Sequence, residues 1–227
     1  MHIPEGYLSP STCLTLTGVM LPVWYRATAC IKKSFDVARV PFLAMGAVFS
    51  FLIMMFNIPI PDGTTAHAAG GVLLAIVLGP WAAVVAVSVA LFIQALLFGD
   101  GGLLAFGANA FNLAFVMPVS GYWVYRLAAG DAGGSRRQFF AAALAGYVGL
   151  NLAALVAAIE FGIQPLLFVA TDGTPLYCPY GLGVAIPAML LPHLTLAGAA
   201  EAAVTALALR YVWKTSPEML AGGQFRR

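Results

Sequence analysis

Charged side chains are scarce in this sequence. Lysine, arginine, aspartate and glutamate make up 9% of the residues, whereas 61% are hydrophobic and the mean hydropathy is +0.91. In soluble domains about a quarter of the residues are charged. The shortage excludes an ordinary soluble protein and predicts an all-α integral membrane protein with one transmembrane domain over residues 1–227. The net charge of +2 is too small to indicate a nucleic-acid partner.

Cysteine and histidine are also rare, with three of each. The cysteines are Cys13, Cys30 and Cys178. Three cysteines cannot all pair and contain no CxxC spacing, which excludes a disulfide framework and the usual zinc-ligand patterns. There is no HExxH motif, and no glutamate stands next to a histidine to activate water. Metal ligation by imidazole therefore depends on His2, His67 and His193.

Seven apolar runs predict seven transmembrane helices. They cover residues 11–25, 40–56, 67–78, 81–98, 111–125, 139–161 and 184–212. A spanning helix needs about 20 apolar residues, so the shorter runs require tilt or help from flanking residues. Residues 103–110 are apolar but contain glycine and asparagine, and we expect a broken or re-entrant segment there.

The positive charges predict the orientation. Cytoplasmic loops collect lysine and arginine, and all eleven of these residues lie in 26–39, 126–138 and the tail from residue 210. The charged residues of the connections on the opposite side are all acidic, namely Glu5, Asp62, Asp100 and Asp172. We therefore expect the N-terminus outside, the C-terminus in the cytoplasm and the lipid bilayer around the helices.

A histidine directly after the initiator methionine is a potential metal chelate. The α-amine of Met1 and the backbone nitrogen of His2 close one ring with a metal, and that nitrogen and the His2 imidazole close a second. One more imidazole completes a plane of four nitrogens, which suits nickel, copper or related divalent metals. The alternative is a histidine that happens to stand on a frayed terminus.

His67 is the second candidate ligand, because it begins the third run on the predicted outer side. The N-terminus is on the same side, so His2 and His67 can meet if residues 1–10 fold into the bundle. Ionisable residues at or within a membrane are functional candidates by default. The alternative is a histidine at a loop end that faces water or headgroups.

Other polar residues in the apolar runs are weaker candidates. Asn109 and Asn112 either orient metal ligands or form hydrogen bonds between helices. His193 lies inside the seventh run with Glu201 two turns later, which suggests a buried contact between them or a supporting role at a metal site. Asp100 stands in a glycine-rich turn and is assigned no further role.

Several motifs, in order along the chain, resemble the CbiM/NikM family. They are Met-His-Ile-Pro-Glu-Gly-Tyr-Leu-Ser-Pro at the start, Pro-Ile-Pro-Asp-Gly-Thr-Thr-Ala-His at 59–67, Leu-Gly-Pro-Trp at 78–81, Phe-Gly-Asp-Gly-Gly at 98–102 and Gly-Ala-Asn-Ala-Phe-Asn at 107–112. This family comprises the substrate-binding membrane subunits of energy-coupling-factor cobalt and nickel importers. The resemblance covers nearly the whole chain.

The resemblance implies a multi-pass protein of the bacterial inner membrane that captures Co²⁺ or Ni²⁺ with Met1, His2 and His67. It implies an extra N-terminal helix added to a six-helix core, in agreement with the seven apolar runs. It also implies no ATP hydrolysis by the chain itself. The expected partners are a transmembrane coupling subunit, a pair of ATPases and a small accessory membrane subunit.

The choice between the two ions is open in the sequence. A planar nitrogen site suits nickel at least as well as cobalt, but many nickel members carry a fused C-terminal segment, and this chain stops soon after its seventh run. We interpret it as a subunit for cobalt uptake that supplies cobalamin synthesis, with nickel as the alternative and no cofactor. An intramembrane metalloenzyme and a scaffold without a ligand are the interpretations from other classes.

Overall fold

The computed structural model describes residues 2–34, 39–60, 64–130, 136–217 and 220, which form a bundle of seven helical segments. The first four contain α1 (Pro10–Ser34), α2 (Val40–Met54), α3 (Gly71–Leu78) and α4 (Pro80–Ile93). The last three contain α5 (Phe106–Asn109) with α6 (Met117–Ala129), α7 (Arg136–Gly162) with α8 (Gln164–Leu167), and α9 (Leu182–Pro192) with α10 (Gly198–Thr215). Each predicted apolar run coincides with one of these segments.

Three of the segments contain a π-helical stretch. These stretches are Gln94–Phe98, Ala110–Val116 and His193–Ala197. The second joins α5 to α6, so the break that we expected at 103–110 is instead the beginning of a continuous helical segment at Phe106. π-Helical turns occur often at functional sites. Here the second and third stretches contain Asn112 and His193, and the first ends two residues before Asp100.

The surface of the bundle suits a hydrocarbon environment. Among the described residues, Pro80–Phe98, Arg136–Leu167 and Leu182–Thr215 are long and apolar enough to cross a membrane. Large apolar side chains such as Leu127 and Phe140 stand exposed on the outside. A soluble monomer rarely exposes extensive contiguous apolar surface, so the exposed side chains agree with contact to lipid.

Helix α1 extends beyond the first apolar run. The run ends at Tyr25, yet the helix continues to Ser34 and carries Lys32 and Lys33 in its last turn. The expectation of a connector from residue 26 was therefore wrong. Lysine and arginine are good helix formers, and cations near a helix C-terminus interact favourably with its dipole.

The third segment is broken, which the apolar pattern did not reveal. We expected it to begin at His67, but α3 begins at Gly71 and has only eight residues, or about 12 Å of helix. An antiparallel hairpin of β1 (Ile58–Ile60) and β2 (Thr64–Ala66) precedes it. Every residue from 66 to 75 is buried. Non-helical backbone inside a membrane protein is tolerated only where protein surrounds it, and protein surrounds this segment.

Small residues allow the helices behind this broken segment to approach closely. A Cβ added at Gly121 in α6 would lie 3.0 Å from the carbonyl oxygen of Ala145, and one added at Gly149 in α7 would lie 2.7 Å from that of Met117. Both helices also contact Val72 of α3. Close packing of small residues is typical of helices in lipid, and here it holds α3 in the centre of the bundle.

Candidate functional site

The segment before α1 is anchored inside the bundle through Ile3. The Ile3 side chain is fully buried. Its backbone N–H donates to Asn109 Oδ1 at 2.7 Å, and Asn109 Nδ2 donates to the Ile3 carbonyl at 3.0 Å. The side-chain amide thus pairs with both polar groups of Ile3, as a neighbouring strand would. This pairing holds His2, the adjacent residue, in a defined place.

A glycine turn closes over the same segment. The backbone N–H of Gly102 donates to the Ile3 carbonyl at 3.0 Å. A Cβ added at Gly102 would lie 2.5 Å from Glu5 Oε2 and 2.9 Å from the Glu5 nitrogen. Only a residue without a side chain permits this approach. The turn therefore fixes the path of the chain from Ile3 to Glu5.

His2 is buried against an acid in this turn. Its side chain is 5% exposed, and its Nδ1 lies 3.0 Å from Asp100 Oδ1. Burial lowers the pKa of His2 below its ordinary value of 6.5, although the hydrogen bond to Asp100 acts in the opposite direction. The same hydrogen bond lowers the pKa of Asp100. Both directions favour a neutral imidazole beside a carboxylate, with Nδ1–H donating to Asp100.

His67 lies next to His2 in the interior. The centroids of the two rings are 4.8 Å apart and their planes differ by 28°. His67 is 1% exposed, and its Nδ1 lies 3.1 Å from the carbonyl oxygen of Ala68. A carbonyl can only accept, so Nδ1 carries the proton and Nε2 keeps a lone pair. The Nε2 atoms of both rings are buried and have no hydrogen-bond partner among the described residues.

Two distant helices hold the backbone that follows His67. Glu201 Oε2 in α10 accepts hydrogen bonds from the N–H groups of Ala69 at 2.7 Å and Gly70 at 3.1 Å. Ser50 Oγ in α2 donates to the Ala69 carbonyl at 2.7 Å. Backbone N–H groups that lie outside a helix have no intrahelical partner, and buried ones need another acceptor. The fully buried Glu201 supplies the acceptor for the two N–H groups that precede α3.

The structure brings two of the three predicted ligands together. His2 and His67 are in ring contact, whereas Met1 lies outside the described residues. His67 is not the exposed loop-end histidine of the alternative interpretation, since it is buried. Among the residues that the structure describes, no three His, Cys, Asp or Glu side chains converge to hold a metal ion. Side chains alone therefore supply two nitrogen donors here.

The weaker candidates fall into different roles. Asn109 holds Ile3, while Asn112 Nδ2 donates to the buried Glu160 at 2.8 Å and so links two helices. His193 is 2% exposed and its Nδ1 lies 2.6 Å from the Met189 carbonyl. The suggested contact between His193 and Glu201 is not formed, because Glu201 binds the amides before α3.

Two residues of the site were not recognised in the sequence. Asp100 was interpreted as a turn residue, yet it contacts the ring of His2. The local signal was an acid flanked by glycines directly after an apolar run, on the same predicted side as the N-terminus. Glu201 gave a weaker signal, a carboxylate inside an apolar helix, where charge is costly unless it is paired. Nothing local identified its partners 131 and 132 positions away.

Comparisons with known proteins agree on one family. The family profile described as "Cobalt uptake substrate-specific transmembrane region", CbiM, matches residues 2–219. The fused nickel transport protein NikMN of Rhodobacter capsulatus is 55% identical over 222 residues, which are 97% of this chain and 64% of that protein. The cobalt transport protein CbiM of Kyrpidia tusciae is 31% identical over 224 residues, covering 97% of this chain and 86% of that protein.

A solved structure gives the same result for the fold. The crystal structure of a truncated transition metal transporter superimposes with a TM-score of 0.89 at 56% sequence identity, covering 94% of this chain and 99% of that one. These relatives are transport proteins for metals, which agrees with a transporter rather than an enzyme. The chain therefore belongs to the CbiM family of cobalt uptake substrate-specific transmembrane proteins.

Proposed function

We propose that this chain is the substrate-capture subunit of an importer for divalent nickel or cobalt, and that it holds the ion with nitrogen atoms of Met1, His2 and His67. One observation carries the proposal. Two buried imidazoles lie 4.8 Å apart, centroid to centroid, and neither Nε2 has a partner among the described residues. An unpaired buried acceptor costs about 1–3 kcal/mol. A cation bound to His67 Nε2, together with a change of tautomer at His2, would remove that cost.

The chelate requires the His2 ring to turn. A ring closed through the His2 backbone nitrogen uses Nδ1, because Nε2 is too far from the backbone. In this structure Nδ1 faces Asp100 instead. We propose that metal capture rotates the ring, so that Nδ1 binds the ion and Nε2–H becomes the remaining donor. A carboxylate that receives this N–H would orient the ligand and raise its basicity, and Asp100 is the acid that already contacts this ring.

Nickel is the first ion to test. The relative named as a nickel transporter is 55% identical, and the one named as a cobalt transporter is 31% identical. A planar set of nitrogen donors also suits nickel. This shifts the balance away from the cobalt interpretation and its link to cobalamin synthesis. Uptake of both ions in competition, by cells with the complete importer, would measure the preference directly.

The proposed membrane orientation follows from the positions of the basic residues, and the proposed partners follow from the family. We propose seven membrane spans with the N-terminus outside and the basic residues in the cytoplasm, in the bacterial inner membrane. Transport would then require a coupling subunit, ATPases and an accessory subunit. A reporter fused after Arg227 should remain cytoplasmic, and its translocation would contradict the orientation.

Metal titration of the purified chain tests the site. We expect one tightly bound equivalent of Ni²⁺ or Co²⁺ in the wild type. His2→Ala, His67→Ala and an added residue before Met1 should each abolish tight binding, because each removes a donor. Asp172→Asn in an exposed loop is the matched control and should bind as the wild type does. A wild-type chain that binds no metal would instead support the scaffold interpretation.

An intramembrane metalloenzyme fits the geometry less well. Such an enzyme needs a general base beside the metal-bound water. The carboxylate of Glu201 is occupied by backbone amides, and Glu160 contacts Asn112. The acid near His2, Asp100, is engaged by the imidazole itself. Each of these three carboxylates is thus already engaged by a neighbouring group.

A further inference from the structure

The third histidine has the same unusual state as the other two. His193 is 2% exposed at the first position of the π-helical stretch His193–Ala197. Its Nδ1 lies 2.6 Å from the carbonyl oxygen of Met189, so Nδ1 carries the proton and Nε2 keeps its lone pair. Nε2 is buried without a hydrogen-bond partner among the described residues. The ring is thus held as a neutral imidazole with a free donor atom.

His193 and His67 lie on neighbouring parts of the fold. Strand β2, which ends at the residue before His67, packs against the stretch His193–Ala197. Ala66 and Ala197 belong to the same buried cluster. His67 and His193 thus adjoin two elements that are in contact, and each has a buried Nε2 without a hydrogen-bond partner among the described residues.

We propose that His193 Nε2 is an additional metal ligand, and that it holds the nickel or cobalt ion together with His67 while the N-terminal chelate is disengaged. This inference rests on the proposed function. No three acidic, cysteine or histidine side chains converge among the described residues, so His193 acts in a state separate from the chelate with His2. Imidazole nitrogen is a suitable donor for both ions.

A site of two imidazoles binds more weakly than the proposed chelate of four nitrogens. It has fewer protein donors and lacks the closed rings through the backbone. Such a site binds an ion that the N-terminal segment has released, and its lower affinity allows the ion to leave again. His67 belongs to both arrangements, and the ion need only exchange its other ligands.

Metal titration of His2→Ala tests the inference, because this variant lacks the chelate. We expect a residual, weaker equivalent of Ni²⁺. His2→Ala combined with His193→Asn should weaken that residual binding at least about tenfold, since loss of a ligand costs no less than loss of the group that orients one. Asparagine keeps a side-chain N–H for the Met189 carbonyl but offers no imidazole nitrogen. His2→Ala with Thr195→Val is the control, because Thr195 is an exposed residue on the same stretch.

The outcomes separate this inference from the proposed function. Tight, wild-type binding by His2→Ala would overturn the proposed function itself. No residual binding by His2→Ala, or residual binding that persists undiminished with His193→Asn, would overturn the role of His193 alone. A second measurement needs no change at His193. Pulsed EPR of Cu²⁺ bound to His2→Ala should show two coupled imidazoles, and fewer than two would contradict the inference.

Discussion

The side chain of Asn109 pairs with the backbone of Ile3 through both of its polar atoms, at 2.7 and 3.0 Å. The side-chain amide forms the two hydrogen bonds that a neighbouring β-strand would otherwise form with this residue. It fixes the residue directly after His2, and so it fixes the direction from which the imidazole enters the bundle. The segment before α1, which carries His2, is therefore extended and held in place by hydrogen bonds.

Replacing Asn109 with alanine should release this segment. The substitution leaves the Ile3 N–H buried without its acceptor, which costs about 1–3 kcal/mol of unfolding free energy. We expect a lower melting temperature in detergent and weaker metal binding. Asn57→Ala, at an exposed position after α2, is the control. Equal behaviour of the two variants would argue against the anchoring role.

A methyl group at Gly102 should displace the same segment from the opposite side. The added Cβ would lie 2.5 Å from Glu5 Oε2 and 3.0 Å from the Glu5 Cα, and overpacking of this kind costs about 1–3 kcal/mol. We expect Gly102→Ala to weaken metal binding in a titration. Gly183→Ala is matched to it, because nothing lies within 4 Å of its added Cβ. Wild-type affinity in Gly102→Ala would show that the segment can move without loss.

The carboxylate of Asp100 should set the affinity of His2 for metal. Loss of a carboxylate that orients a ligating histidine lowers metal affinity by about 10–100-fold. We expect Asp100→Asn to show this decrease by calorimetry while it still melts cooperatively. Asp172→Asn removes an exposed acid that accepts hydrogen bonds from Thr174 in its own loop, and it should have no effect. An unchanged metal affinity in Asp100→Asn would contradict a role of Asp100 in metal binding.

Glu201 should matter for stability more than its charge alone suggests. In Glu201→Ala the N–H groups of Ala69 and Gly70 lose their acceptor, at about 1–3 kcal/mol for each buried group left unpaired. Glu201→Gln keeps an acceptor oxygen and should retain most of the melting temperature. Thr205→Val removes only a 3.4 Å contact to Glu201 and serves as the control. A wild-type melting temperature in Glu201→Ala would contradict the support of α3.

The metal-free chain should lose stability in mild acid. Because burial lowers the pKa of His2 in the folded chain, the unfolded chain binds more protons below about pH 6.5. The stability contributed by neutral His2 is complete above that pH. It falls by up to about 1.4 kcal/mol per pH unit as the pH drops towards the folded pKa. Melting curves between pH 8 and 5 measure this loss.

His2→Gln provides the comparison for the pH series. Its melting temperature should fall less steeply below pH 6.5 than that of the wild type, since one titrating group has been removed. Identical slopes for the two proteins would show that His2 does not contribute to the acid sensitivity.

Much of this protein can be predicted from local patterns. Hydropathy located the seven helical segments because each segment carries apolar residues, whether they contact other helices or the outside of the bundle. The adjacency of Met1 and His2 suggested a chelate, since chelate rings close through neighbouring atoms of the chain. The placement of basic residues predicted an orientation for the same local reason, as each loop is sorted by its own charges.

Tertiary structure alone decided how the site is held. The apolar run from His67 to Leu78 does not reveal that only Gly71–Leu78 is helical, because buried extended backbone and buried helix have similar composition. The contacts of Ile3 with Asn109 and of Ala69 with Glu201 join residues 106 and 132 positions apart. Hydrogen bonds over such separations leave no periodic signal. They depend on which helices pack together, and only the folded bundle determines that.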